Sequence, residues 1–252
     1  MTLGRRLTAE GIGTALLLAA VVGSGIMGDR LAGGNVALAL LANTLATGAA
    51  LVALLLTFGP ISGAHLNPAV TLADASRGGL GWRDVPGYLG AQIAGAVVGV
   101  AVANLMFGEP VFALSRHERH GPAQLLSEFV ATFGLLSVVS GCSRLRSTTA
   151  APFAVGAYIT AAYWFTASTS FANPAVTVAR ALTDTFTGIR PTDVPGFLLA
   201  QLVGAGTATA LFRFLVPAPA RGLPVDPRRR TDSARHVERH AEMAHRRACG
   251  SP

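Results

Sequence analysis

The sequence predicts an all-α membrane protein, with six transmembrane helices and two re-entrant half-helices laid out as an inverted repeat. Three observations carry this. The 252 residues are 51% hydrophobic and 13% charged, with a mean hydropathy of +0.48, and a water-soluble domain of that size would need a far more polar surface. Six apolar stretches reach the roughly 20 residues that a helix needs to cross a bilayer, while two others fall short. Segments of the first half return in the second.

In chain order, the first span covers 8–28 and contains Glu10. Met1-Thr2-Leu3-Gly4-Arg5-Arg6 before it resembles the start of a secretory leader, but the apolar run is long, opens with Glu10 and lacks a convincing cleavage site, so we read it as a retained span. The second span covers 34–58 and is followed by a short apolar piece, 66–76, which cannot cross alone. Spans at 86–107, 124–142 and 151–169 come next, then a second short piece at 172–183, then a last span at 194–216. The short pieces read as re-entrant half-helices. This divides the chain into residues 1–7, a membrane unit at 8–216 with repeats at about 8–107 and 124–216, and a tail at 217–252. The tail opens Pro217-Ala218-Pro219-Ala220, is rich in Arg and Pro, and has no apolar face, so disorder is expected.

Six spans put both termini on one side. Arg5, Arg6, Arg77, Arg83, Arg144, Arg146, Arg213 and the tail arginines share that side, against Arg30, Arg116, Arg119, Arg180 and Arg190 on the other. Positive residues near span ends stay cytoplasmic, so both termini are expected in the cytoplasm and the protein in the plasma membrane. The net charge of +7 does not mark a nucleic-acid partner, because residues 221–252 hold eight Arg against four Asp or Glu and supply +4 of it.

Cys142 and Cys249 make neither a disulfide framework nor a CxxC metal pair. His236 and His240 lie four apart in the tail, with Glu238, Glu242 and His245 nearby, but no third ligand is fixed by a fold, and His117 and His120 read the same way. No metal site and no cofactor are expected. Nor is an enzyme, since no HExxH pattern, GxSxG elbow or Ser/His/Asp set is present.

The repeats fix the topology. Asp84-Val85-Pro86-Gly87-Tyr88-Leu89-Gly90-Ala91-Gln92 returns as Asp193-Val194-Pro195-Gly196-Phe197-Leu198-Leu199-Ala200-Gln201, and Ala9-Glu10-Gly11-Ile12-Gly13-Thr14 is echoed by Ser127-Glu128-Phe129-Val130-Ala131-Thr132. Each half holds three spans and one half-helix. An odd number of spans inverts the second copy, which brings the two half-helices together near the midplane.

The third repeat opens those half-helices: Asn67-Pro68-Ala69-Val70-Thr71-Leu72-Ala73-Asp74 against Asn173-Pro174-Ala175-Val176-Thr177-Val178-Ala179-Arg180. Pro suits a first helical turn and Asn the cap before it. Helix N-termini expose N–H groups and partial positive charge. Two such ends meeting at the midplane would repel cations and interrupt a proton wire, while the Asn67 and Asn173 amides donate to a solute oxygen.

One Asn-Pro-Ala would carry little weight, since turns and helix starts use those residues widely. Two copies in matching positions, flanked by Ser62-Gly63-Ala64-His65-Leu66 and Ser170-Phe171-Ala172, make the chain resemble the aquaporin, or major intrinsic protein, family over about residues 8–216. The resemblance implies an aquaporin-like channel for small neutral solutes in the lipid bilayer, assembled as a homotetramer. It implies a central constriction at Asn67, Pro68, Ala69, Asn173, Pro174 and Ala175, and buried acids at Glu10 and Glu128 that support the re-entrant loops. His65 takes the loop position beside the first motif, where packing is favoured over gating.

The sequence departs from the family at the outer ring. Most relatives carry Arg directly after the second Asn-Pro-Ala, and here that position is Val176. On the family pattern Thr47, Ala161 and Ser170 complete the ring, and all four residues are small and uncharged. A wide neutral ring points to solutes bulkier than water, such as glycerol, urea and neutral metalloid acids, arsenite and methylated arsenicals among them; bacterial aquaglyceroporin-like channels linked to arsenic resistance resemble the chain in this departure. Arg180, one helical turn on, has two roles open to it, reaching back towards the ring or a surface position like that of its counterpart Asp74. A water-selective pore, a gradient-coupled transporter using Glu10 and Glu128, and a purely structural membrane protein are the alternatives.

Overall fold

The computed structural model describes residues 1–144 and 150–216. The basic tail, with His236 and His240, lies outside them. Among the described residues the regular elements are helical: α1 Leu3–Leu31, α2 Val36–Ser62, α3 Pro68–Ser76, α4 Val85–Met106, α5 Pro122–Arg144, α6 Ala151–Phe165, α7 Pro174–Arg180 and α8 Val194–Leu215, with a 3₁₀ turn at Pro191–Asp193. Among the described residues, five helices are long and apolar enough to cross a membrane. The remaining long helix, α6, has 15 residues, about 22 Å of rise, and ends four residues before the predicted limit. It ends because Thr166 is extended and the chain then turns left-handed at Thr169 and Ser170, with φ of 60° and 51°.

The two halves have the same internal packing. α1 lies against α2 and α4, and α5 against α6 and α8. Between halves α2 packs on α6, α4 on α7, α3 on α8, and the half-helices α3 and α7 meet. The closest approaches need residues without side chains. A Cβ on Gly95 would sit 2.1 Å from the Gly11 carbonyl oxygen, and one on Gly204 would sit 2.6 Å from that of Phe129. These contacts occupy equivalent places in the two halves, directly after Glu10 and Glu128, and small residues of this kind let membrane helices pack closely.

The outer surface is apolar. Leu16, Leu45, Leu56, Val98, Phe153, Trp164 and Leu199 are all exposed. Polar side chains are instead concentrated inside, among them Glu10, Gln92, Glu128 and Gln201, each with no exposed surface. This inversion of the soluble pattern suits a hydrocarbon solvent, in which buried polar groups must find partners within the protein.

Candidate pore

α3 and α7 start alike. Asn67 and Asn173 are extended, with φ of −160° and −156°, and each is followed by Pro in the first turn. Asn67 Oδ1 accepts from the Ala69 N–H at 2.9 Å, and Asn173 Oδ1 accepts from those of Ala175 and Val176 at 3.0 and 3.3 Å. The amide nitrogens then cross between halves. Asn67 Nδ2 donates to the Ala172 carbonyl and Asn173 Nδ2 to the Leu66 carbonyl, both at 2.8 Å. A side-chain amide has two N–H bonds, so each Asn keeps one beyond this tie. Both asparagines line a cavity of about 790 Å³.

Backbone strain sits beside each motif. Ala64 and Leu66 in the first loop, and Ser170 and Ala172 in the second, have φ between 45° and 51°, a region that costs a non-glycine residue roughly 1–3 kcal/mol. The two glutamates hold these turns. Glu10 accepts from Ser62 Oγ at 2.6 Å, the His65 N–H at 2.9 Å, the Leu66 N–H at 2.7 Å and Gln92 Nε2 at 2.8 Å. Glu128 accepts from Ser168 Oγ at 2.6 Å, the N–H groups of Phe171 and Ala172 at 2.9 Å each, and Gln201 Nε2 at 2.6 Å. Each carboxylate thus accepts four hydrogen bonds, about its full lone-pair capacity.

A further chain runs from each carboxylate back to its motif. Gln92 Nε2 also donates to Thr71 Oγ1, which donates to the Asn67 carbonyl at 3.1 Å. Gln201 Nε2 donates to Thr177 Oγ1, which donates to the Asn173 carbonyl at 2.9 Å. Our sequence reading did not single out these four side chains. A signal was present, because each Gln closes the repeated nonapeptide at a depth where an unpartnered amide would be costly.

Thr47, Ser170 and Val176 line the cavity on the α7 side. Ala161, expected beside them, does not: it is exposed and lies outside the lining. α6 turns Ile159 and Tyr163 inward, four residues apart, and a position two residues from each lies about 200° around the helix. Tyr163 takes the inward place. It is buried, lines the cavity, and its Oη lies 3.4 Å from Thr47 Oγ1. Counting back from the motif missed this because the apolar periodicity of α6 sets the face, and that periodicity selects Tyr163.

Arg180 is no surface residue, being 1% exposed, and it lines the cavity one turn beyond Val176. Its Nε donates to the Thr187 carbonyl, its guanidinium carbon lies 3.4 Å from the Phe171 ring centroid, and its Nη1 has no partner. Arg119, from the connection between α4 and α5, reaches the same ring at 5.0 Å. It donates to the carbonyls of Gly188 and Ser168 at 2.8 and 3.1 Å. Burial pushes the Arg119 guanidinium below its ordinary pKa, with the nearby Glu128 carboxylate opposing.

The other mouth differs. His65, the counterpart of Phe171, has Nδ1 3.1 Å from Thr71 Oγ1 and Nε2 3.6 Å from Asp74, and its ring lies 5.4 Å from that of Tyr88. Asp74 is the counterpart of Arg180, and Arg77, which also lines the cavity, lies 4.0 Å from it.

The family model for major intrinsic proteins matches residues 1–172 and 123–245. An aquaglyceroporin, AqpS of Rhizobium meliloti (strain 1021), is 58% identical over 219 residues, covering 87% of this chain and 93% of its own length. Aquaporin NIP1-3 of Oryza sativa subsp. japonica is 39% identical over 141 residues, 54% of this chain and 49% of its own. Among solved structures, the aquaglyceroporin from Plasmodium falciparum superposes with a TM-score of 0.68 over 86% of this chain and 98% of its own, at 20% identity, a likeness of fold.

Proposed function

The chain belongs to the major intrinsic protein family, and we propose that it acts as a passive transmembrane channel for water, glycerol and other small uncharged solutes, not as an enzyme. The observation that carries this is the pair of half-helix N-termini, each capped by an asparagine that keeps one N–H beyond its tie to the opposite loop. A neutral solute can exchange a water hydrogen bond for one from Asn67 or Asn173. A cation meets two converging positive helix ends instead. Similarity to a bacterial aquaglyceroporin over most of both chains supports including glycerol.

Glu10 and Glu128 act as loop supports in this reading. Their lone pairs are engaged by loop N–H groups, hydroxyls and glutamines, which leaves no vacant position for a coupling ion. Val176, Thr47 and Ser170 set the outer ring and favour solutes larger than water, neutral metalloid acids such as arsenite and methylated arsenicals included. One observation favours the water-selective reading: Tyr163, bulkier than the alanine first assigned there, narrows the ring beside Thr47. The same proposal places residues 8–216 in the plasma membrane as a homotetramer, with both termini and the 217–252 tail in the cytoplasm, supported by the arginine distribution.

Stopped-flow light scattering on proteoliposomes tests the reading, with water, glycerol and arsenite compared for wild type and Val176→Arg. The expected result is passage of all three by wild type and a narrowing towards water in the variant. Passage of water alone by wild type would select the water-selective alternative, and flux driven by a proton gradient would select a transporter.

A further inference from the structure

We infer that Arg180 is the charge-selecting residue of the α7-side vestibule, a cation barrier set one helical turn beyond the ring position that Val176 leaves uncharged. This rests on the channel reading and adds to it a residue and the property that residue controls.

A guanidinium buried in the membrane-embedded part of a protein demands compensation, and the usual form is an adjacent carboxylate. Among the described residues no acidic side chain forms an ion pair with Arg180. Its compensation is partial: a backbone carbonyl at Thr187 and the face of Phe171. Nη1 is left without a partner although the residue is 1% exposed and lines the cavity. A second guanidinium, Arg119, lies over the same ring, so two positive charges are opposed there by the single carboxylate of Glu128.

The position is held firmly. Arg180 ends α7, and its carbonyl accepts from the Ile189 N–H at 3.3 Å, so the 183–190 loop folds back over the helix end. Phe171, beneath the guanidinium, is itself fixed by its N–H to Glu128 and by edge contact with Phe197. The same framework that strains the second re-entrant loop therefore aims the guanidinium. The result is a fixed charge on the approach to Asn173.

Two consequences follow. An entering cation is repelled before it reaches the paired helix ends, which adds a barrier in series with them. The same fixed charge orients an entering hydroxylated neutral solute, drawing its oxygen end towards Arg180.

The test uses the full chain in proteoliposomes, with potassium flux under a diffusion potential compared with osmotic water flux. In wild type, water passes and potassium is excluded. Replacing the charge in Arg180→Gln is expected to raise the potassium-to-water permeability ratio by about tenfold or more, the size of effect a unit charge several Å from the path exerts at intermediate dielectric. An unchanged ratio in a variant that still passes water overturns the inference while leaving the channel reading intact. Absence of water and glycerol flux in wild type would instead overturn the channel reading.

Should Arg180→Gln fail to reconstitute, Arg180→Lys carries the test, because its charge can be titrated. The ammonium is present at low pH and is lost as pH rises, so the potassium-to-water ratio of this variant should climb with pH, and at a lower pH than that of wild type. A flat profile in both overturns the assignment.

Discussion

Asn67 and Asn173 are tied through each other's loops: Asn67 donates to the carbonyl preceding Asn173, and Asn173 donates to the carbonyl preceding Asn67, each at 2.8 Å. Neither half can therefore set the position of its own half-helix end. The half-helix ends are positioned by an exchange between repeats, and the cap of each helix is coupled to the strain of the opposite turn. Asn173→Ala should accordingly cost more than the roughly 1 kcal/mol of a lost cap, nearer 2–3 kcal/mol, because the Leu66 carbonyl also loses its donor. The thermal midpoint of the purified protein would fall and water flux per channel would drop several-fold, and a variant with wild-type stability would show that the crossed bonds contribute little.

The carboxylates give a second expectation. In Glu128→Gln one oxygen becomes an amide nitrogen, so a buried donor faces another donor, either a loop N–H or Gln201. Each unsatisfied buried donor costs about 1–3 kcal/mol, so a loss of about 2–5 kcal/mol is expected, with a smaller loss for Gln201→Leu, which leaves both loop N–H groups paired. Because the role is support and not coupling, wild-type solute flux should show no dependence on an imposed proton gradient. Thermal unfolding in detergent checks the first part and flux in pH-jumped vesicles the second.

Much of this arrangement was legible in the sequence, for a physical reason. A bilayer removes water as a partner, so spans must be long and apolar, and any polar residue within them stands out: Glu10, Glu128 and the paired asparagines are visible on that ground alone. The inverted repeat doubled every signal. What stayed hidden was rotation about helix axes and the state of side chains at single-copy positions. Ala161 was assigned by counting back from the motif, yet α6 presents Tyr163 inward. Arg180 has an acidic counterpart in the other half, so the repeat offered no second copy from which to read its burial. Gln92 and Gln201 lay inside a recognised repeat, but their double donation needs the three-dimensional proximity of α4 to α3 and of α8 to α7.

Helix packing yields a third prediction. In Gly95→Ala the new methyl would stand 2.1 Å from the Gly11 carbonyl oxygen, a contact that only separation of α1 from α4 can relieve. Overpacking of this kind costs about 1–3 kcal/mol or more. Gly90→Ala on the same helix meets open space, so it should be neutral or stabilising by up to about 1 kcal/mol through helix propensity. Similar midpoints for the two variants would mean that the α1–α4 contact is looser than the close approach indicates.

The proposed outer ring offers the sharpest contrast between counting along the chain and the geometry. Tyr163 and Ala161 lie two residues apart, yet one lines the cavity with its hydroxyl towards Thr47 and the other faces outward. Tyr163→Ala removes the bulkiest uncharged side chain near the ring and leaves space beside Thr47, so the glycerol-to-water permeability ratio should rise several-fold. Ala161→Leu adds volume on the outward face, so that ratio should stay at its wild-type value. The opposite pattern, a pore closed by Ala161→Leu and indifferent to Tyr163→Ala, would require α6 to be turned by about half a revolution. That rotation would bury Trp164 and expose Ile159, reversing the side of α6 that now packs against α2.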